Sequence, residues 1–127
     1  MNKNKIQVIL VEPDKKAVVA DIGAALEDMQ ATVGGFIEVI YPFDDAVAII
    51  CNEEGKINGL PLNRALYDDQ REIYDVIAGT FFIAGCGGDG FISLSQEQID
   101  RYKSMFLFPE KILKVNDKIV AIKYENY

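Results

Sequence analysis

The sequence of 127 residues contains no histidine, no tryptophan and only two cysteines. Without histidine, the chain lacks the usual general base of serine and cysteine nucleophile systems and the commonest ligand of protein-bound metals. Cys51 and Cys86 are distant in the sequence and form no C-x-x-C pair, so a zinc site would need carboxylates as its other ligands. The sequence therefore predicts no catalytic residue set, no metal and no cofactor.

Long apolar runs and clustered basic residues are also missing. No run approaches the roughly 20 apolar residues that a membrane helix requires. The lysine-containing start MNKNKIQVILV resembles a signal peptide, but it is interrupted at Glu12 and Pro13, and no small-residue cleavage site follows. The net charge of −7 opposes binding to a phosphate backbone, because such binding needs clustered lysine and arginine. We therefore expect a cytoplasmic protein with reduced thiols that binds neither a membrane nor a nucleic-acid polymer.

Apolar residues make up half of the chain, which is enough for one domain over residues 1–127 to bury a core. The stretch KIQVILV (5–11) predicts a strand. A stripe of apolar residues at helical spacing then runs up to Gly34–Gly35 and predicts an amphipathic helix packed on a sheet. It consists of Val18, Ile22, Leu26, Met29 and Val33. On this interpretation, Leu26→Ala costs about 2–5 kcal/mol of stability.

The middle of the chain contains three further segments that predict strands. FIEVIY (36–41) and AVAIIC (46–51) predict an antiparallel pair, followed by the turn EEGK, in which Gly55 offers a positive φ. GTFFIAG (79–85) predicts the third strand. Residues 61–75 have an apolar spacing typical of neither template, so a short helix or an irregular loop is expected there.

The glycine-rich stretch GCGGDG (85–90) has two interpretations. Its consecutive backbone N–H groups could form a phosphate-binding nest. However, no G-K-[ST] follows, and the carboxylate of Asp89 would repel an anion. A hairpin connection to FISL (91–94) is therefore favoured.

The C-terminal part predicts one helix and one hairpin. Ser95 and Gln98 form a capping box at the start of the helix. Its buried stripe consists of Ile99, Tyr102 and Phe106. The tail predicts a hairpin over residues 111–124 that turns at Asn116–Asp117. Together, these elements predict an α+β fold, with a mainly antiparallel sheet and two principal helices in a single domain.

Three pairs of adjacent acidic residues are the remaining candidates for acid–base chemistry. They are Asp44–Asp45, Glu53–Glu54 and Asp68–Asp69. Adjacent residues on a strand point to opposite faces, so sequence neighbours are poor candidates for a shared site. Their flanking turn residues favour solvated charge instead, and an enzyme that uses carboxylates alone is the weakest alternative.

The stretch NEEGKINGLPLNR (52–64) holds the candidate ligand-binding residues. They are Asn52, Glu53, Lys56, Asn63 and Arg64. Arg64 offers a planar fork for a phosphate or carboxylate, Lys56 adds a second positive charge, and the two asparagines can read a base or ribose edge. In the alternative interpretation, Arg64 pairs with Glu53 or Glu54, and the asparagines fasten the loop to neighbouring backbone, as polar turn residues commonly do.

This stretch also resembles the core of an uncharacterised bacterial and phage domain family. Members carry an N-E-E-G-K turn, then L-P-x-N-R, then a G-T-x-x-I-x-G strand before a helix and a terminal F-x-x-P. The chain matches with NEEGK (52–56), LPLNR (60–64), GTFFIAG (79–85) and FLFP (106–109), and the resemblance covers residues 6–112. It implies a context of phages, plasmids and integrative elements of Gram-positive bacteria, with no assigned activity.

These observations lead to two functional hypotheses. The first is a non-enzymatic binding module of a phage or mobile element, acting in the bacterial host cell as a counter-defence protein that sequesters a small nucleotide-like signal. A homo-oligomer would complete the pocket, since one domain of this size offers limited concavity. The second is a protein–protein adaptor or inhibitor that engages a host or element protein through its acidic surface.

Overall fold

The computed structural model describes residues 5–125, in which ten strands and two helices are formed. The elements are β1 (Lys5–Val11), β2 (Val18–Gly23), α1 (Leu26–Val33), β3 (Ile37–Ile40), β4 (Val47–Asn52), β5 (Leu62–Tyr67), β6 (Ile73–Ala78), β7 (Phe81–Gly87), β8 (Gly90–Ile92), α2 (Gln96–Met105), β9 (Glu110–Val115) and β10 (Lys118–Lys123). Residues 1–4 and 126–127, the two ends of the predicted domain, lie outside the described residues.

The central sheet has the strand order β2-β1-β7-β4-β3, and β8 pairs with the end of β7. Every pairing in it is antiparallel, including the predicted pair β3–β4, in which Ile40 lies opposite Ile49. The interior strands are apolar at consecutive positions, and β4 is buried over its whole length. Such strands have both faces covered, because successive side chains point to opposite sides of the sheet.

The two covering layers differ. Helix α1 packs on one face, where it meets Ile50 and Phe82. Helix α2 and the hairpin β5–β6 cover the other face, over Ile49 and Phe81. The predicted α+β fold with a mainly antiparallel sheet and two helices is therefore confirmed. Neither helix of the described residues has the length and apolar character needed to cross a bilayer.

The predicted first helix is wrong over its N-terminal half. Residues Val18–Gly23 form the edge strand β2, and only Leu26–Val33 is helical. Positions 18 and 22 are four residues apart, which places them on one face of a strand as well as on one face of a helix. Val18 and Leu26 are 44% and 53% exposed, whereas Met29 and Val33 are buried against the sheet. The predicted cost of Leu26→Ala therefore no longer follows.

Residues 61–75, expected to be a short helix or a loop, belong mainly to the antiparallel hairpin β5–β6. Register shifts interrupt its pairing between Leu62 and Arg64 and again between Leu66 and Tyr67. Each irregularity breaks the alternation of side chains between the two faces, so the apolar spacing matches no regular strand.

Glycines fill two different roles in the turns. Gly34 has a φ of 80° and ends α1, as predicted. Gly55 does not have the predicted positive φ; within the turn that follows β4, Gly59 has it instead, at 71°. A Cβ atom at Gly55 would lie 2.7 Å from the carbonyl oxygen of Ala78, so glycine is needed there for close approach to β6.

The C-terminal predictions are confirmed. The Ser95 hydroxyl accepts a hydrogen bond from the Gln98 backbone N–H, and the Gln98 side chain accepts one from the Ser95 N–H, which completes the capping box of α2. Strands β9 and β10 form a hairpin whose turn residues, Asn116 and Asp117, both have positive φ. The glycine-rich stretch forms the hairpin β7–β8, in which Gly87 pairs with Gly90.

Candidate functional site

The polar cluster at residues 52–64 divides into two groups that serve different parts of the structure. Asn52 ends β4 and is buried. Its Nδ2 donates to the carbonyl oxygen of Val33 at 3.1 Å, and its Oδ1 accepts from the backbone N–H of Glu54 at 2.8 Å. This asparagine thus ties the end of α1 to the turn after β4, an arrangement that the alternative interpretation expected.

Asn63 and Arg64 lie in β5, one strand of the β5–β6 hairpin, and both are buried. The Asn63 Nδ2 donates to the carbonyl oxygens of Val11 and Gly79, at 3.0 and 2.8 Å. Its Oδ1 in turn accepts from Nη1 of Arg64 at 2.8 Å. The asparagine therefore links β5 to the end of β1 and to the turn between β6 and β7, and it helps to hold the arginine.

The Arg64 guanidinium is 0% exposed. It donates to the carbonyl oxygens of Lys15 and Phe106, and it pairs with neither Glu53 nor Glu54. Burial lowers its pKa from the ordinary value, and the charges of Glu110 and Asp14 oppose that shift. The expectation that Arg64 and Lys56 face one anionic group is wrong for this structure, because the guanidinium reaches no open surface.

Lys56 and Glu53 do face open space. With Asn52, they line a cavity of about 240 Å³ between β4 and β6, and the Lys56 ammonium pairs with the Asp75 carboxylate at its rim. Cys51 lies in the same cavity wall. Burial, and then the charge of Glu38, raises the pKa of its thiol to about 11, so the thiolate needed for nucleophilic attack is scarce at neutral pH.

A larger cavity, about 680 Å³, lies on the opposite end of the hairpin layer. Sequence reasoning did not identify it. Its walls come from the β3–β4 loop, β5, α2, β9 and β10, so its residues span positions 42–123. Apolar and aromatic side chains form much of the lining, namely Phe43, Leu66, Tyr67, Met105 and Phe106. The size lies in the range of small-molecule sites.

Glu110 is the buried charged group of this larger cavity, and it is only 5% exposed. Its Oε1 accepts a hydrogen bond from the backbone N–H of Ala65 at 2.9 Å. Burial raises the pKa of the carboxyl, while the Ala65 N–H and the charges of Arg64 and Lys123 oppose the shift. Its Oε2 makes no hydrogen bond within residues 5–125, and the Glu110 side chain lines the cavity.

The cavity lining contains three cations, Arg71, Arg101 and Lys123, together with the carboxylates of Asp44, Asp45 and Asp69. Arg101 is held by Asp45, whose Oδ2 lies 3.0 Å from its Nη1. The Arg71 side chain is exposed and forms no ion pair within the described part of the chain. Lys123 is likewise exposed and forms no ion pair among these residues, so both Arg71 and Lys123 are available to an incoming anionic group.

Asp45 was predicted to carry only solvated turn charge, and it does more. Its carboxylate accepts hydrogen bonds from the Tyr102 hydroxyl at 2.7 Å and from the side chains of Gln98 and Arg101. The bond from Tyr102 contributes most to lowering the pKa of Asp45. By contrast, Asp68 and Asp69 are exposed, and Asp68 caps the β5–β6 turn by accepting from the backbone N–H groups of Gln70 and Glu72.

Residues 5–125 contain no cluster of cysteine and acidic side chains arranged to hold a metal ion. Both cysteines are free, and they lie in the clusters on opposite faces of the sheet.

The comparisons with known proteins give one match. The model of a domain of unknown function (DUF3846) matches residues 6–107, whereas no curated protein and no solved structure matches the chain. The match covers the central sheet except Lys5, covers both helices, and stops before β9. It agrees with the predicted resemblance to an uncharacterised domain family. The motif pattern and the phage context remain predictions.

Proposed function

The chain belongs to the DUF3846 family of domains of unknown function, and we propose that it is a non-enzymatic module that binds a small nucleotide-like molecule in the Glu110 cavity. The observation that carries this proposal is the Glu110 carboxylate. One oxygen accepts a hydrogen bond from the Ala65 N–H, the other forms no hydrogen bond within the described residues, and the side chain lines a cavity of about 680 Å³. A buried carboxylate oxygen is stabilised when an N–H donor reaches it, and nucleobases present such donors on their edges.

The rest of the lining suits the other parts of the same ligand. Phe43, Tyr67 and Phe106 provide ring faces and edges on which a base can pack. Arg71 and Lys123 bring positive charge to the mouth, where a phosphate would lie. The cavity thus combines apolar and aromatic surface with charged groups of both signs, which can fix the orientation of a ligand.

Binding without catalysis is supported by the chemistry of the available side chains. The chain has no histidine, and burial keeps the Cys51 thiol protonated with a pKa of about 11. Tyr102, in the cavity wall, has its pKa raised to about 12 by burial and by its hydrogen bond to Asp45. Neither group is suited to act as a nucleophile or base at neutral pH.

We further propose a biological setting for this binding. The resemblance implies phages and mobile elements of Gram-positive bacteria, in which sequestering a signalling nucleotide would counter a host defence. The protein would then act in the cytoplasm of the bacterial host cell, where its two free thiols would stay reduced.

Calorimetry with a panel of cyclic and linear nucleotides tests the binding proposal. For a nucleotide that binds, Arg71→Ala is expected to weaken affinity about tenfold to a hundredfold, because one charge-assisted contact is lost. Glu110→Gln is also expected to weaken affinity, because it replaces one acceptor oxygen of the carboxylate with an NH₂ donor. Lys56→Ala is the matched control, since Lys56 is an exposed cation in the smaller cavity.

Two results would contradict the proposal. A panel in which no nucleotide binds the parent protein removes the ligand class. Loss of affinity in Lys56→Ala but not in Arg71→Ala moves the site to the cavity of Asn52, Glu53 and Lys56, which is part of the cluster predicted from the sequence.

A second candidate function, a protein–protein adaptor or inhibitor, is favoured by a different surface. Phe36 and Tyr41, which flank the edge strand β3, are each 67% exposed, and Ile57 is 83% exposed. Large exposed apolar side chains near Glu53 and other acidic groups are typical of an interaction surface. Phe36→Ala and Ile57→Ala would then abolish capture of a partner while leaving nucleotide affinity unchanged.

A further inference from the structure

The hairpin β9–β10 carries an open strand edge that the proposed ligand site does not explain. It is a separate two-stranded sheet, and β10 pairs only with β9 among the described residues. It also lies beyond the matched family region, which ends at residue 107. An isolated hairpin is marginally stable in water, so an additional strand would stabilise it.

The backbone groups on the free edge can be assigned from the hairpin register. Val115 and Lys118 flank the two-residue turn, and such a closing pair exchanges hydrogen bonds within the hairpin. At the other end of the hairpin, the Tyr124 N–H donates to the Pro109 oxygen, so an even-numbered residue again bonds across the hairpin. The even-numbered residues of β10 therefore bond to β9, and Ile119 and Ala121 direct their N–H and C=O groups outward.

This edge lacks the features that usually prevent strands from pairing. The sequence KIVAIK of β10 contains no proline, its pairing with β9 has no register shift, and lysines occur only at its two ends. One face of the hairpin carries four exposed apolar side chains, Leu113 37%, Val115 49%, Val120 36% and Ile122 48%, flanked by Lys111 and Lys118. An open apolar edge of this kind is a template for strand addition.

We propose that β10 pairs antiparallel with β10 of a second copy, about a two-fold axis at Val120, to form a four-stranded sheet. A two-fold axis keeps the apolar faces of both hairpins on the same side. Val120 then lies opposite its counterpart, and Ile119 lies opposite Ala121 of the second copy.

Charge complementarity selects this occupant and this register. With the two-fold axis at Val120, Lys123 of each copy lies opposite Asp117 of the other copy. No lysine of one copy then lies opposite a lysine of the other. Centring on Ala121 instead would oppose Asp117 and Glu125, which repel each other. The proposal goes beyond the ligand site, because it requires no nucleotide.

Sedimentation of the full chain and two lysine variants tests the proposal. The parent protein is expected to dimerise, and Val120→Lys is expected to weaken dimerisation about tenfold or more, because it opposes two like charges at the axis. Leu113→Lys is the matched control. Leu113 pairs with Val120 in the hairpin and is equally exposed, but it lies one strand further from the axis. It should leave the dimer intact.

Cross-linking provides a second, independent readout. The Val120 pair is not hydrogen-bonded across the seam, so its Cα atoms would lie about 4.5 Å apart, which a disulfide can span. Val120→Cys is therefore expected to give an oxidised dimer on a non-reducing gel, whereas Leu113→Cys and the parent are not. A monomeric parent, equal dimerisation of the two lysine variants, or absence of the Val120→Cys cross-link overturns the proposal. Lys123 also lines the Glu110 cavity, but Val120 and Leu113 do not, so the nucleotide titration remains a separate test.

Discussion

The guanidinium of Arg64 donates from Nε and Nη2 to the carbonyl oxygen of Phe106, at 3.2 and 3.0 Å. Phe106 is the C-terminal cap of α2, where carbonyl groups lack partners within the helix. Nη2 also donates to the Lys15 carbonyl oxygen at 2.7 Å. One buried side chain thus joins the β5–β6 hairpin, the end of α2 and the loop after β1.

Arg64→Ala is therefore expected to destabilise the protein by about 3–5 kcal/mol, because it leaves buried carbonyl groups without donors and opens a cavity. Urea unfolding measures the free energy. Arg71→Ala is the control. Arg71 lies in the turn of the same hairpin but is exposed, so its loss should change stability by about 0.5 kcal/mol or less. An Arg64→Ala protein as stable as the control would show that the guanidinium network contributes little.

The elements that the sequence predicted correctly carry their signals locally. Helix α2 begins at Ser95 with a complete capping box, and the β9–β10 turn consists of two residues, Asn116 and Asp117, that tolerate positive φ. These signals act within a few residues, so no tertiary contact is needed to recognise them. The β2–α1 segment failed because a spacing of four fits both periods, and nothing local distinguished them.

The candidate site was harder to predict for a different reason. Arg64 and Asn63 were recognised as unusual polar residues, but their exposure depends on which loops fold over β5. The Glu110 cavity is built from segments distant in the sequence, so spacing could not reveal it. A glutamate directly after Phe108–Pro109, in a strand with apolar neighbours, was the only local signal of a buried carboxylate.

Two substitutions in α1 test which of its side chains pack on the sheet. Met29 is 6% exposed and packs on the sheet, so Met29→Ala should cost about 2–5 kcal/mol. Leu26 is 53% exposed, so Leu26→Ala should cost about 0.5 kcal/mol or less. Thermal or urea unfolding of the two variants gives the comparison. Equal losses would show that Leu26 is buried, in contradiction to its exposure in the structure.

Glu110 should make stability fall as pH rises above the acid range. Burial raises its folded-state pKa above the ordinary value of 4.5, so the native state binds more protons than the unfolded state between these two pKa values. Its unfavourable contribution is absent below 4.5 and complete above the folded pKa. The stability of Glu110→Gln relative to the parent should therefore increase across this window.

Urea unfolding of both proteins at a series of pH values checks this prediction. Glu110→Gln retains a side-chain oxygen for the Ala65 N–H, so the comparison isolates the charge. A stability difference that is constant with pH would mean that the Glu110 carboxyl titrates alike in the folded and unfolded states. That result would remove the desolvated carboxylate on which the binding proposal depends.

Asp45 should act in the opposite direction and at lower pH. The Tyr102 hydroxyl, donating at 2.7 Å, holds the pKa of Asp45 below its ordinary value of 3.8. The unfolded state therefore binds more protons, and the stability from this contact is complete above pH 3.8 and is lost as pH falls through the folded pKa. Tyr102→Phe removes the donor and is expected to cost about 1.5–3 kcal/mol at neutral pH. Because the parent loses the same contribution in acid, the difference between the two proteins should shrink below pH 3.8, as measured by unfolding at each pH. A gap that stays constant into strong acid would show that the cost of Tyr102→Phe does not come from the bond to the ionised Asp45 carboxylate, because phenylalanine keeps the ring that packs against Phe43.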